Sequence, residues 1–278
     1  MMNGKDKQVT MKNTFLEEYK RRTLRQCQLK QLGILEEIDR ICRKHDISYW
    51  LDGGSLLGAV RHGGFIPWDD DIDIAMSLAD LERFKSVAPK ELPASLTLQT
   101  PQSEDTKEPI VKVRDLNSFF VEPGDDFSAN YEKGLYVDIF PFIDYPDVSK
   151  KFVKRYGRGI SKCYSILHSP HRYSLRSAAE LPWFAAQYAL YSLAWKLAFM
   201  FRKKGTYMSN TLVNNGYGIM HLKKSIFPLG TITFEGRTFS APCNPDAYLR
   251  DLYNNYMQIP PKEKQKIHSV FIMPELIK

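Results

Sequence analysis

Four aspartates, Asp69, Asp70, Asp71 and Asp73, stand in the stretch "LDGGSLLGAVRHGGFIPWDDDIDIAM" (Leu51 to Met76), between a glycine-rich turn and alternating isoleucines. Carboxylates crowded among apolar residues repel one another and are costly to desolvate unless a cation or hydrogen-bond donors hold them. The pattern therefore asks for a metal. On a strand alternate side chains share a face, so Asp71 and Asp73 are expected to point one way and Ile72 and Ile74 the other. Two oxygen donors on one face, completed by substrate phosphate, suit a hard divalent ion, Mg²⁺ with Mn²⁺ as the alternative. Asp138, the lone acid in "GLYVDIFPF" (Gly134 to Phe142), would complete a two-metal clamp or accept the proton of an attacking hydroxyl.

Phosphate chemistry is the partner of that site. Gly53, Gly54 and Ser55 follow a strand and open a helix, where backbone N–H groups and the helix N-terminus hold anions. A glycine turn alone specifies only a turn; the acids that follow about sixteen residues later make it a candidate cradle. Arg61 and His62 end the short helix, either reaching donor phosphates or serving as a cap and surface. Lys112 and Arg114 alternate with Val111 and Val113, lining an anion pocket or facing solvent. His268 in the tail either contacts substrate or is simply exposed. The pieces fit phosphoryl or nucleotidyl transfer. A glycosyltransferase also uses a D-x-D metal site, but needs neither the Gly-Gly-Ser turn nor Asp138. A non-enzymatic metal- or polyanion-binding module needs no third carboxylate.

The elements that must position these groups are legible as patterns. Leu32, Leu35, Ile38 and Ile41 or Cys42 give Leu24 to His45 the spacing of an amphipathic helix packed on a sheet. "ISYWL" (Ile47 to Leu51) reads as a strand, "SLLGAVRH" as a helix start, "DIDIAM" as a strand after the Pro67–Trp68 break and "LADLERFKSVA" as a helix. "LTLQ", "IVKVRD", "SFFVE" and "GLYVDIFPF" read as further strands. Beyond about Ser149 the chain becomes helical, basic and aromatic, then returns to two short strands, "TITF" and "RTFSA", a helix near "PDAYLRDLYNNY", and a basic tail after "IPP".

With 278 residues, 43% hydrophobic and 26% charged, the chain is long and apolar enough for a substantial core. The net charge of +7 favours anionic partners: phosphorylated substrates, nucleic acid or an acidic membrane face. Cys27, Cys42, Cys163 and Cys243 are scattered, with no zinc-site spacing, and read as reduced packing residues. The charged N-terminus lacks the apolar core of a secretory signal, which leaves the catalytic part in the cytoplasm. The run Leu181 to Phe201 is about long enough to cross a bilayer. Pro182, Gln187, Ser192 and Lys196 interrupt it, and Arg172, Arg176 and Arg202 to Lys204 flank it. That leaves a helix lying in the cytoplasmic leaflet, peripheral at the inner face of the cytoplasmic membrane, or a helix buried in a second lobe.

The stretch "DGGSLLGAVRHGGFIPWDDDIDIAM" resembles the signature of the LicD family, bacterial phosphocholine transferases of the nucleotidyltransferase-fold superfamily that includes the fukutin-related proteins. The resemblance extends upstream through "QLKQLGILEEIDRICRKHDISYWL" and downstream to "GLYVDIFPF" and "YLRDLYNNYMQIPPKEKQKIH". It implies an α+β fold: a nucleotidyltransferase-like core with a small mixed sheet flanked by helices, residues 14–148, after a flexible N-terminus, 1–13. Residues 149–278 would form a helical lobe and closing segment on the acceptor side. It implies metal-dependent transfer of phosphocholine, or a related phospho-alcohol, from CDP-choline or a similar CDP-alcohol to a glycan or glycolipid hydroxyl. Teichoic acid, lipopolysaccharide and capsule sugars are the acceptor classes, and nucleic acid is not a partner. By the same resemblance Gly54 and Ser55 match the glycine-serine cradle, Asp71 and Asp73 the metal-binding pair, and Asp138 the third carboxylate. Asp69 and Asp70 would stand behind the pair. Asn254 and Asn255 depart from a "YG" common in the family, which leaves the acceptor-side contacts open.

Overall fold

The computed structural model describes residues 4–101, 110–125, 127, 128, 130–168, 175–210 and 219–276, with side chains from residue 14 onward except 175–178. In chain order the elements are α1 (Gly4–Lys44), β1 (Tyr49–Leu51), α2 (Gly53–His62), β2 (Asp73–Ser77), α3 (Leu78–Glu91), β3 (Leu96–Gln99), β4 (Val111–Asp115), β5 (Phe119–Val121) and β6 (Tyr136–Pro146). There follow α4 (Lys150–Leu167), α5 (Leu175–Phe201), β7 (Lys204–Asn210), β8 (His221–Leu222), α6 (Lys223–Ile226), β9 (Gly230–Phe234), β10 (Arg237–Ala241), α7 (Pro245–Tyr253) and β11 (Phe271–Met273). The fold is α+β with a mixed sheet. The chain divides into two compact units: Met1–Phe140 with Thr231–Ala241 and Asn255–Lys278, and Pro141–Gly230 with Pro242–Asn254.

In the first unit the sheet runs β1-β2-β6-β4-β3, with Trp50 opposite Ala75 and Lys112 opposite Asp138. The apolar stripe of α1 is buried as its spacing predicts: Leu35, Ile38 and Ile41 have no exposed surface and Leu32 has 5%. Truncating such a side chain to Ala costs about 2–5 kcal/mol. α1 begins well before the expected Leu24, and its early turns receive the tail. Lys20 Nζ donates to Ser269 O at 2.9 Å and Lys30 Nζ to Pro274 O at 2.8 Å. β11 pairs with β5, Ile272 opposite Phe120.

The strand expected at "DIDIAM" starts only at Asp73, so Asp71 and Ile72 lie in the segment that leads into it. The alternation survives this shift: Ile72 and Ile74 are fully buried, while Asp71 and Asp73 keep partial exposure. β4 is buried at every position, so Lys112 and Arg114 do not face solvent. Three of the cysteines are buried and unpaired as expected; Cys243 is free but exposed, a correction to its reading as a packing residue.

In the second unit β6 from Pro141 onward pairs with β7, Ile143 opposite Ser209, and β7 pairs with β8. α4 and α5 pack along each other. Phe152 stacks near Trp195, Tyr156 meets Tyr191 edge-on, and a Cβ on Gly159 would sit 2.6 Å from the Tyr191 ring. Tyr145, Val153 and Met220 form a small core that Trp195 and Phe199 cover. Among the described residues no helix is long and apolar enough to cross a membrane. Of the expected flanking bases, Arg172 and the side chain of Arg176 lie outside the described residues.

Candidate active site

β1 ends at Leu51 and the chain turns at once into α2. Asp52 caps the helix, its side chain accepting from the Gly53 N–H at 2.7 Å. Gly53 has φ +50°, in the left-handed region that favours glycine. Both glycines are also needed for space. A Cβ on Gly53 would lie 2.5 Å from Asp73 Oδ2, and one on Gly54 would lie 2.6 Å from Asp69 Oδ2. The turn is therefore where two carboxylates close on the helix N-terminus, whose partial positive charge favours them. Ser55 locks the arrangement: its Oγ accepts from the Asp73 N–H at 2.8 Å.

The acids gather around this turn. Asp52, Asp69, Asp70 and Asp138 are buried, whereas Asp71 and Asp73 open partly to solvent. Asp138 enters from β6, its N–H donating to Ile72 O at 2.9 Å. Burial and the neighbouring charges of Asp71, Asp138, Asp52 and Asp69 push the Asp73 carboxyl well above its ordinary value. Asp69 is pushed up to about 8 by burial and by Asp71 and Asp70, and shares a hydrogen bond with Asp71 in which Asp69 holds the proton. Asp71 is raised too, by burial first and then by Asp70. Burial raises Asp138 to about 6, against the pull of Lys112.

Lys112 is 1% exposed and lies 3.2 Å from Asp138 and 3.3 Å from Glu122, with its ammonium 3.7 Å from the centre of the Tyr136 ring. Arg114, two residues on, is engaged elsewhere: it donates to Gln99 Oε1 and, at 2.9 Å, to Gly134 O, over the same Tyr136 ring. Arg61 reaches Asp69 with its charge while its Nη1 donates to Tyr256 O at 3.1 Å. His62 receives the Arg61 Nε–H and meets Trp68 edge-on at 6.3 Å; burial and Arg61 hold its pKa below the usual value.

The loop of acids is held by side chains that the sequence did not single out. Gln28 and Gln31 of α1 are buried at 3% and 0%, and their amides donate to Asp69 O and Asp70 O at 2.9 and 2.8 Å. Their signal was available: with Leu24 and Leu35 they sit on the inward face of α1 at helical spacing, where an unpartnered amide would be costly. Asp70 clamps the tail, its two carboxylate oxygens accepting from the N–H groups of His268 and Ser269 at 3.3 and 2.7 Å. Glu235, at the β9–β10 turn, accepts from the Phe65 N–H at 3.0 Å and pairs with Arg25.

These donors fit a hard divalent cation. Five carboxylates lie in electrostatic reach of one another at Asp73, with the close approach that the two glycines permit. Among the described residues, the group whose ligand atoms all fall within 4.8 Å of one another is Asp69, Asp70 and His268, not Asp71, Asp73 and Asp138. Gly53, Gly54, Ser55, Asp71, Asp73, Asp138 and Lys112 thus converge, with Arg61 beside Asp69. Arg114 binds within the sheet, and the His268 side chain is 73% exposed.

The stretch that carries the glycine turn and the acids has counterparts among known proteins. Residues 46–169 match the LicD/FKTN/FKRP nucleotidyltransferase domain. The chain is 29% identical over 279 residues to the lipopolysaccharide cholinephosphotransferase LicD of Haemophilus influenzae, covering 90% of this chain and 97% of that protein. It is 33% identical over 126 residues to the ribitol 5-phosphate transferase FKRP of mouse and of human, covering 44% of this chain but only 20% of theirs. Over residues 46–169 the chain is thus similar to the LicD/FKTN/FKRP nucleotidyltransferase domain.

Proposed function

We propose that this chain transfers phosphocholine, or a related phospho-alcohol, from a CDP-linked donor to a hydroxyl of a cell-surface glycan or glycolipid. The observation that carries the reading is the closure of Asp69 and Asp73 on the Gly53–Gly54 turn, with Asp71 beside them and the Asp138–Lys112 pair on the neighbouring strands. A bare phosphate at that turn would meet carboxylates. A diphosphate accompanied by a divalent cation would not. In this reading Asp71, Asp73 and Asp138 would hold Mg²⁺ or Mn²⁺, and the cation would supply charge neutralisation for the donor diphosphate, whose bond from the alcohol-bearing phosphorus to the bridging oxygen is the one that breaks.

The protein's own groups then have these parts. The N–H groups at the start of α2 bind a donor phosphate, and Arg61 and His62 extend that anion site. The acceptor oxygen attacks the phosphorus that bears the alcohol, CMP leaves, and the hydroxyl proton passes to Asp138. Burial raises the metal-free Asp138 carboxyl to about 6, the direction that a proton acceptor needs. Lys112 keeps that carboxylate oriented. Residues 14–148 form the catalytic core and residues 149–278 the acceptor side, at the inner face of the cytoplasmic membrane. The near full-length similarity to a cholinephosphotransferase supports phosphocholine among the alcohols.

The test is product identity. Incubation with CDP-choline or another CDP-alcohol, Mg²⁺ and a panel of glycans should release CMP. Release of a nucleoside diphosphate from a nucleotide sugar, with no binding of CDP-alcohols, would replace this reading with a glycosyltransferase.

A further inference from the structure

The second unit exposes apolar surface in an ordered pattern. On α5, Trp183, Leu190, Leu193, Leu197, Met200 and Phe201 are 43–75% exposed. Their spacing of three and four residues along one helix draws a continuous stripe over roughly five turns. The opposite stripe, with Tyr191, Trp195 and Phe199, is spent on α4 and β6. α5 is therefore apolar on two sides, only one of which has a partner among the described residues. An apolar strip of that length is unusual on a surface facing water alone.

Charge says what meets it. From Lys150 to Lys204 the sequence holds twelve Lys and Arg against one acid, Glu180, a net +11. The rest of the chain, with 27 Lys and Arg against 31 Asp and Glu, carries −4, so this segment accounts for the basicity of the whole protein. Lys151, Lys154, Arg155, Arg158 and Lys162 of α4 are all exposed. None forms an ion pair among the described residues. Lys196 is exposed within the stripe's own length, and Arg202 and Lys203 at its end. A hollow of about 540 Å³ opens where α4 begins and α5 ends, lined by Phe152, Leu197, Phe201 and Arg202 together with Asp147 and Ser149.

We infer that the α4–α5 hairpin is a docking face for an anionic phospholipid surface, with the α5 stripe seated among the acyl chains near the headgroups. The basic residues of α4 and of the α5 end meet lipid phosphates. The inference deepens the location proposed above and rests on that reading for its purpose. Apolar insertion alone would suit any bilayer, and basic residues alone would suit any polyanion; only an anionic bilayer satisfies both. α5 lies on the surface rather than through it, since it lacks the sustained hydropathy of a spanning helix.

The experiment is co-sedimentation of the full chain with phosphatidylcholine vesicles, with and without about a third phosphatidylglycerol. CMP release from a soluble donor and acceptor is followed in parallel. Binding should require the anionic lipid. The triple change Lys154→Gln, Arg155→Gln and Arg158→Gln should weaken it by about fivefold for each charge removed. Leu190→Glu with Leu193→Glu should abolish it at any salt. Both variants should keep the parent's melting temperature and far-ultraviolet circular dichroism, which reports that they fold. Sedimentation that ignores lipid charge and both variants would overturn the inference, as would a stable dimer in solution that Leu190→Glu with Leu193→Glu splits. A protein that binds vesicles but never releases CMP would leave the docking face standing and sink the enzymatic reading instead.

Discussion

The acid cluster and the α4–α5 hairpin are opposite departures from the usual arrangement of a folded chain. One draws carboxylates out of water: Asp138 is 7% exposed and Asp69 8%. The other leaves large apolar side chains in it: Phe201 is 75% exposed and Met200 69%. Each departure works against stability, the first through desolvation and like-charge repulsion and the second through unburied hydrocarbon. Each is also ordered, by two glycines and two buried glutamines in the first case and by helical spacing in the second. Ordered surface that opposes folding marks a place where something binds. What differs is the complement proposed for each: a small divalent cation with a phosphate for the acids, and an extended anionic sheet of lipid for the hairpin.

The comparison breaks first at Asp73. Asp73→Asn should lower CMP release by about a thousandfold or more, since a ligand charge and its geometry are both lost. Because burial and Asp71 already oppose the ionised Asp73, the same change should raise the melting temperature of the metal-free protein. Activity lost with stability gained is the signature of a site strained for function. A variant that melted lower and kept its turnover would make Asp73 a structural residue.

Asp138→Asn should slow CMP release by about a hundredfold, the usual reach of a general base, while donor binding measured by calorimetry is retained. If donor affinity fell with the rate, Asp138 would act mainly as a holder of the donor.

Gly54→Ala is the purely steric test. The added methyl would fall 2.6 Å from Asp69 Oδ2, so that carboxylate must move away from the α2 N-terminus. Turnover should drop by about tenfold or more, and the loss should be recovered in part by Gly54→Ala with Asp69→Ala. No recovery would place the importance of Gly54 in the backbone rather than in the contact.

How much of this was visible beforehand follows from what a linear pattern can carry. The α1 stripe, the Gly53–Ser55 turn and the alternation around Asp73 depend on neighbours in sequence, and each appears at its place. Asp138, more than sixty residues away, was legible as the lone acid of an apolar strand, and the family resemblance matched it to a third carboxylate. The clamp between Asp70 and the His268–Ser269 backbone spans about two hundred residues and uses N–H groups that every residue owns, so no residue type announces it. Lys112 and Arg114 look alike in sequence, yet one pairs with Asp138 and the other binds within the sheet, because the register of β4 against β6 sets Lys112 opposite Asp138 and Arg114 opposite Tyr136. The pairing of β5 with β11 was illegible for the same reason: three-residue strands carry too little pattern to name their partner.

The stability of the metal-free protein should depend on pH in a direction fixed by the acids. A carboxyl whose folded pKa is raised contributes stability that is complete below its unfolded pKa, about 4, and is lost as pH rises through the folded value. Asp138 titrates near 6 and Asp69 near 8. In chelator the melting temperature should therefore fall by about 5 °C between roughly pH 5 and pH 8. Mg²⁺ should reverse the fall at the upper end. Asp69→Asn with Asp138→Asn should flatten the profile and remove the response to Mg²⁺.

The smallest expected effect tests the hairpin's half of the comparison. Leu193 is 54% exposed and sits on the stripe away from the Tyr191 and Trp195 contacts with α4, so Leu193→Gln removes little packing. Its melting temperature should stay within the shift expected of about 0.5 kcal/mol, the ordinary range for a surface change. The solubility limit without lipid should rise, because a polar group interrupts the apolar strip. The near-zero stability change is the informative part. A loss of about 2 kcal/mol or more would mean that Leu193 is covered in the free protein, by another copy or by a segment outside the described residues. The hairpin would then be a buried element, leaving the acid cluster as the molecule's one region built against its own stability.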